Sequence, residues 1–320
     1  MPGSVPGGPV RARPGGVILL NEVSNRPSMF AEGETVFLED AEGKRHWLKV
    51  SFGMLKVQGL GAMDGSKLEG LDDGDRVTLV GREYTVFRPG AMDLIGSLER
   101  GAQIISPKDA ATILMHCDVK SGDRVLEIGA GSGGLTTALL TAVGPTGHVH
   151  TMELKEENAK RTERNVARTG LDSRWSYSIG DAREADPGID WQADALTMDM
   201  PDPWLALPNL DRHLRAGGRL CAYVPNMNQM ESIVIALREA GYADVRALEN
   251  IQRFMEVHTG GVRPSFDTLG HTAYLIFARK RAAPATDAAR TPENRSSTRF
   301  NEVNHTSGGG PCPRTADSVK

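Results

Sequence analysis

Four carboxylates and one run of glycines stand where chemistry could be done. Gly129-Ala130-Gly131-Ser132-Gly133-Gly134 follows the apolar run 124–128, with Glu127 two residues ahead of its first glycine. Such a turn brings the main chain close to a ligand, and the helix it opens offers N–H groups that have no partner inside the helix. By spacing, Gly129, Gly131 and Gly134 satisfy G-x-G-x-x-G, and a lone match of that kind is weak. Glu153 closes the next apolar run and can accept from both hydroxyls of a ribose. Asp181 ends a third run, and Asp199 follows a fourth within Thr197-Met-Asp199-Met-Pro201-Asp202-Pro203-Trp204. The two prolines stiffen that turn and Trp204 offers a flat apolar face; the plainer roles are a helix cap for Asp199 and a core position for Trp204.

These residues need a sheet to bring them together. The expected strands are 124–128, 148–153, 175–179, 195–200, 219–224, 245–251 and 272–278, with helices between the first five and before the sixth. That alternation specifies an α/β fold with a parallel, doubly wound sheet. The last two strands have no helix between them, so an antiparallel end is expected. A helix should start at Ser106-Pro107-Lys108-Asp109, with Ser106 as N-cap, Pro107 at the first helical position and Asp109 closing a capping box.

Ahead of this region, 35–38, 46–50, 76–80 and 84–87 read as short strands between turns, a small β-barrel or sandwich. The expected division is therefore a leader at 1–15 without periodic apolar pattern, a β domain at 16–90, a catalytic domain at 91–280 and a tail at 281–320 without a core. With 39% apolar residues in 320, the chain can bury one full-sized core and a smaller one. Its apolar runs, such as 17–20 and 233–237, are too short to cross a bilayer, and a cytoplasmic protein is expected. Cys117, Cys221 and Cys312 match no zinc or redox spacing, so no metal is implied. A net charge of −4 means that any site for RNA must be a local patch. Arg246, Arg253, Arg263, Arg279, Lys280 and Arg281 form one candidate, although interleaved acids fit a solvated face as well.

The glycine loop alone fits a nicotinamide enzyme as well as a methyltransferase, and Glu153 fits both. Glu127 and the pair Asp181-Ala182 favour the second class, because S-adenosylmethionine-dependent methyltransferases are similar in placing acids at those two points. More specific marks are Arg88-Pro89, Gln103-Ile-Ile-Ser106-Pro107-Lys108-Asp109, Asp199-Met-Pro201-Asp202-Pro203-Trp204, Arg263-Pro264 and Gly270-His271-Thr272. On these, residues 16 to 280 resemble the tRNA (adenine-N1)-methyltransferases that modify the T-loop at adenine 58, or at 57 and 58 in archaeal members. The resemblance implies a Rossmann-like methyltransferase domain behind a small N-terminal β-barrel-like domain, S-adenosyl-L-methionine as methyl donor, tRNA as partner, and a homo-oligomer, commonly a tetramer. It implies Asp199 as the catalytic acid that orients the base. Gln103, Glu127, Gly129, Gly131, Ser132, Gly133, Gly134, Leu135, Glu153, Asn158, Asp181 and Ala182 would surround the cofactor. Pro201, Trp204, Arg263 and His271 would meet the substrate, whereas His258 reads as structural. One departure stands out: Ser106 occupies a place where the family carries an aromatic residue. The rival readings are a protein carboxyl methyltransferase of the same fold and a noncatalytic tRNA-binding subunit.

Overall fold

A computed structural model describes residues 29–101 and 103–283. The leader 1–15, the apolar run 17–20, the tail from 284 onward and Cys312 lie outside the described residues.

The amino-terminal part is built from β1 (Thr35–Glu39), β2 (Arg45–Lys49), β3 (Met54–Val57), β4 (Gly61–Asp64), β5 (Arg76–Leu79) and β6 (Arg82–Phe87). β2, β1, β6 and β5 form one antiparallel sheet in that order, and β3 pairs with β4 in a separate hairpin. Alternate residues of both point into one core around Leu38, Leu48, Val57, Met63, Leu79 and Val86. Arg88 seals this core: it lies over the Phe30 ring and pairs with Glu34 and Asp72 at 2.7 Å each. Arg45 reaches across to Asp93 at 2.6 Å.

The elements that follow are α1 (Ala91–Gly96), α2 (Pro107–His116), β7 (Arg124–Ile128), α3 (Gly134–Val143), β8 (His148–Glu153), α4 (Glu156–Thr169), β9 (Trp175–Ile179), β10 (Ala193–Met198), α5 (Pro203–Leu210), β11 (Leu214–Val224), α6 (Met227–Glu239), β12 (Ala243–Glu249), β13 (Met255–His258), β14 (Gly261–Pro264) and β15 (Tyr274–Arg279). Seven strands make one sheet in the order β12-β15-β11-β10-β7-β8-β9. β7 to β11 run parallel, while β15 is antiparallel to both of its neighbours. β7, β8 and β10 are buried along nearly their whole length, whereas β9 stands at the edge and none of its residues is fully buried. Leu126, Ile128, Met198 and Leu220 pack on one face, and Val125, Ala195, Cys221 and Phe277 on the other.

From β7 the chain moves one way to β8 and β9, then returns to β10 on the other side. The order therefore reverses between β7 and β10, where open α/β sheets bind their ligands.

Two local expectations are corrected. No helix joins β9 to β10: residues 180–192 run as turns and bends, stopped by Pro187 and by Gly188, whose N–H donates to Asp186. At α2, Ser106 is the N-cap, yet its hydroxyl donates to the Asp109 carboxylate at 2.9 Å instead of accepting from the helix backbone. Asp109 is turned inward and fully buried, so the capping box does not close.

Candidate active site

A cavity of about 500 Å³ opens at the carboxyl ends of β7, β8, β9 and β10, within the range usual for small-molecule sites. Of the residues expected to bind, Gln103, Gly129, Gly131, Glu153, Asn158, Asp181, Ala182, Asp199 and Pro201 line it. The fold thus gathers all four strand-end loops around one space.

Gly129 sits at φ +88°, and a Cβ there would lie 2.1 Å from the main-chain oxygen of Asp199. Only a residue without a side chain lets the first loop pass over the end of β10. Gly129→Ala is therefore expected to abolish measurable cofactor binding and to lower the melting temperature by several degrees; calorimetric titration and thermal melts check both.

The far half of the loop faces away from the cavity. Ser132 accepts from the Gly101 N–H, Gly133 packs on Thr162, Gly134 lies against Ile104, and Leu135 is core. These residues hold Gly101 and Ile104, and residues 103–105 form one cavity wall.

Glu127 is buried between α3, β8 and β10. The hydroxyls of Thr136 and Thr151 both donate to its Oε2 at 2.7 Å, whereas Oε1 has no partner. Beside it on β10, Thr197 also has an unpartnered buried hydroxyl. Burial pushes the Glu127 carboxyl up to about 8, and the charges of Asp199 and Glu153 act in the same direction. Glu153 accepts from the N–H groups of Ala130 and Gly131 through Oε2, and from the N–H of Lys155 and the Asn158 amide through Oε1.

Asp199 follows β10, anchored by its N–H to the Ile128 carbonyl at 2.8 Å. Its side chain is half-buried and makes no hydrogen bond among the described residues. Burial, then the charge of Glu153, pushes it up to about 7. A carboxylate left unpaired in this way is set for a ligand donor.

Asp181 is bound by Arg183 through both oxygens, which holds it down at about 2. Arg183, Asp202, Tyr223 and Thr272 also line the cavity and were not foreseen from spacing. Asp202 stands in a motif already noted, and Thr272 beside His271; Tyr223 had no such signal. Its hydroxyl points to Asp109, which also accepts from Thr272 at 2.8 Å and from Lys108 at 2.8 Å. This buried network joins α2 to the cavity wall.

Trp204, Arg263 and His271 lie off the wall. Trp204 packs on the core. Arg263 pairs with Glu256 and covers the Phe266 ring. His271 is held between the Glu249 carboxylate at 2.6 Å and the Pro225 carbonyl at 2.9 Å. Those two acceptors, the carboxylate first, raise its pKa, and Pro225 is itself on the cavity wall. His258 is exposed near Glu256. The basic run does not act as one surface, since the Lys280 amine turns inward to Asp211 and Leu214. Among the described residues no cluster could hold a metal ion, and no helix is long and apolar enough to cross a membrane.

A reversed seven-stranded sheet with a glycine loop after β7 and acids at the ends of β8, β9 and β10 around one cavity is the arrangement of the Rossmann-like methyltransferases. Solved structures agree. A Thermotoga maritima SAM-dependent O-methyltransferase superposes with a TM-score of 0.67 at 30% identity, covering 80% of this chain and 96% of that one. The tRNA (m1A58) methyltransferase TrmI of Aquifex aeolicus gives 0.62 at 26%, covering 80% and 100%. Residues 94–262 match the family described as tRNA methyltransferase complex GCD14 subunit. The tRNA (adenine(57)-N(1)/adenine(58)-N(1))-methyltransferase TrmI of Methanocaldococcus jannaschii is 31% identical over 273 residues, 77% of this chain and 95% of the relative. The Thermus thermophilus tRNA (adenine(58)-N(1))-methyltransferase TrmI is 34% identical over 204 residues, 63% and 79%. The chain belongs to this tRNA (adenine-N1)-methyltransferase family.

Proposed function

We propose that the protein transfers a methyl group from S-adenosyl-L-methionine to N1 of adenine in the T-loop of tRNA, at position 58 or at 57 and 58. The observation that carries this reading is the Asp199 carboxylate, unpaired and half-buried at the point where the strand order reverses. The cavity suits an adenosine ligand with a cationic end. Glu153 faces it for ribose hydroxyls, Asp181 for an adenine amino group, and Glu127, protonated without a ligand, can ionise beneath the loop when a cationic group binds above it. When bound, the cofactor supplies an electrophilic methyl group on a sulfonium.

Adenine N1 has a free lone pair at neutral pH, so the protein needs to align the base and exclude water more than to remove a proton. Asp199 accepts from the exocyclic amino group, points N1 into the cavity and favours the positive charge that forms on the ring. N1 lies on the Watson-Crick edge, so the base must be unpaired or turned out of its stack. Tyr223 is the one aromatic ring among the described residues lining the cavity. It supplies the face that Ser106, tied to Asp109, does not.

The rival carboxyl methyltransferase lacks support from the Asp199–Trp204 turn, and a noncatalytic subunit has no use for an intact loop and unpaired acid. We assign residues 16–90 to a separate β domain and 91–280 to the catalytic domain. Acidic residues outnumber basic ones between 29 and 90, which favours contact with a neighbouring subunit over contact with phosphates. We infer a cytoplasmic homotetramer. Phe254, Val257, Val262, Phe266 and Leu269 around the β13–β14 hairpin are all exposed, which suits a surface covered by self-association.

The test is incubation of tRNA transcripts with labelled cofactor, followed by nucleoside mapping. Label is expected as 1-methyladenosine; its complete loss when adenine 58 is replaced by guanine assigns position 58 alone, and residual label assigns position 57 as well. Base-labile label on protein instead would establish the carboxyl rival.

A further inference from the structure

The wall of the cavity carries four carboxylates, Glu153, Asp181, Asp199 and Asp202, against two cations, Lys155 and Arg183. A polyanion that must push one base into this space meets repulsion unless a cation at the mouth offsets it. Lys155 is exposed, sits on the Glu153 side and has no ion pair among the described residues. Arg183 is placed differently, at the mouth between the cofactor-side acid and the substrate turn.

Its guanidinium uses one edge on Asp181: Nε stands 2.9 Å from Oδ1 and 3.1 Å from Oδ2, and Nη2 stands 2.5 Å from Oδ2. The turn beneath is fixed as well, because the Asn209 amide donates to the Ala182 carbonyl at 3.0 Å and to the Ala185 carbonyl at 2.7 Å. The opposite edge carries only a long ion pair to Asp202. Nη1 makes no hydrogen bond among the described residues; its nearest acid is Asp202, 3.9 Å away and beyond hydrogen-bond reach. The side chain is 39% exposed. A planar fork held along one edge, with the other edge presented to solvent, is organised for a second oxyanion.

We propose that Arg183, aimed by Asp181, binds a backbone phosphate of the RNA beside the base that enters the cavity. This rests on the RNA reading above. Arg183 is then a positioning residue for the substrate, and Asp181 has a second role besides facing the cofactor. Ionic pairing keeps Asp181 charged throughout the working pH range, so the fork stays aimed.

The experiment uses the full chain, with tRNA affinity measured at several salt concentrations in the presence of the demethylated cofactor product. Arg183→Gln should weaken tRNA binding about tenfold, the scale of one lost charge-assisted contact. It should also reduce the slope of log affinity against log salt by roughly 0.7 to 0.9, the share of one phosphate. Arg183→Lys should keep the slope while losing part of the affinity, since an ammonium retains the charge but not the fork. Both variants should bind the cofactor product within about threefold of wild type, a control on folding and on Asp181. Unchanged tRNA affinity and slope in Arg183→Gln, with or without weaker cofactor binding, would overturn the proposal and leave Arg183 as a partner of Asp181 alone. If wild type itself shows no salt-dependent binding of tRNA, the RNA reading falls first and the phosphate role falls with it.

Discussion

Asp199→Ala is expected to slow single-turnover methyl transfer about a hundred- to a thousandfold, the usual cost of removing one well-placed electrostatic partner from a desolvated site. The fold should survive, since the carboxylate has no protein partner to lose and only the Asp199 N–H anchors the strand end. Asp199→Asn separates orientation from charge. Its amide oxygen still accepts from the adenine amino group, yet no negative charge faces the ring. If orientation dominates, Asn recovers much of the rate lost in Ala; if charge dominates, the two are equally slow. The pH profile adds a second reading. With its carboxyl pushed up to about 7 in the ligand-free protein, the active charged form grows as pH rises through 7. The kcat/KM of wild type should therefore climb between about pH 6 and 8, and the Asn variant should lose that inflection. Near wild-type rates in both variants would remove Asp199 from the chemistry.

The second large effect concerns Glu127. Folded, its carboxyl is pushed up to about 8, far above the ordinary glutamate value of 4.5, so at neutral pH it holds a proton. Between those two values the folded chain binds more protons than the unfolded chain, and stability falls as pH rises through that window. Glu127→Gln keeps the shape and removes this titration. Its melting temperature should decline less than wild type's between pH 5 and pH 8, with Asp199 still contributing a slope of the same sign. A cationic ligand reverses the local balance by favouring the ionised acid. Binding of S-adenosylmethionine near pH 7 should accordingly release protons, and binding of the demethylated product, which lacks the sulfonium charge, should release fewer. Calorimetry in two buffers of different ionisation heat counts them. In Glu127→Gln most of the difference should vanish and affinity for the methyl donor should fall about tenfold, one pKa unit's worth of lost charge interaction. Equal proton release for both ligands in wild type would show that Glu127 does not sense the ligand's charge.

Much of this site is legible in the sequence. β7, β8 and β9 fall at the expected residues: each follows a turn or a helix, and even the edge strand β9, with serines at alternate positions, keeps the aromatic and branched residues that favour a strand. Asp199 and the glycine loop could be put together, since both sit at the ends of strands in a doubly wound order. What escaped was orientation. Glu127 and Gly129 are two residues apart, yet one is sealed in the core and the other lines the cavity, a difference set by neighbouring elements and not by spacing. The β3–β4 hairpin was missed because its strands are four residues each and are joined by Gln58-Gly59-Leu60, which lacks a strong two-residue turn signature. Tyr223 lies mid-pattern in an ordinary strand, and only the arrival of β11 beside α2 shows that its hydroxyl faces Asp109.

The position of β15 bears on how the molecule is made. β12 touches the sheet only through β15, and β11 has β15 as its neighbour on that side. On the ribosome, residues 274–279 emerge after every other strand of the sheet. Until they insert, β11 and β12 each present an unpaired ladder of N–H and C=O groups, the template on which chains stick to one another. A nascent chain paused just short of residue 274 would therefore hold a nearly complete catalytic cleft and still be prone to aggregate, and the last strand inserted is the one that closes the sheet.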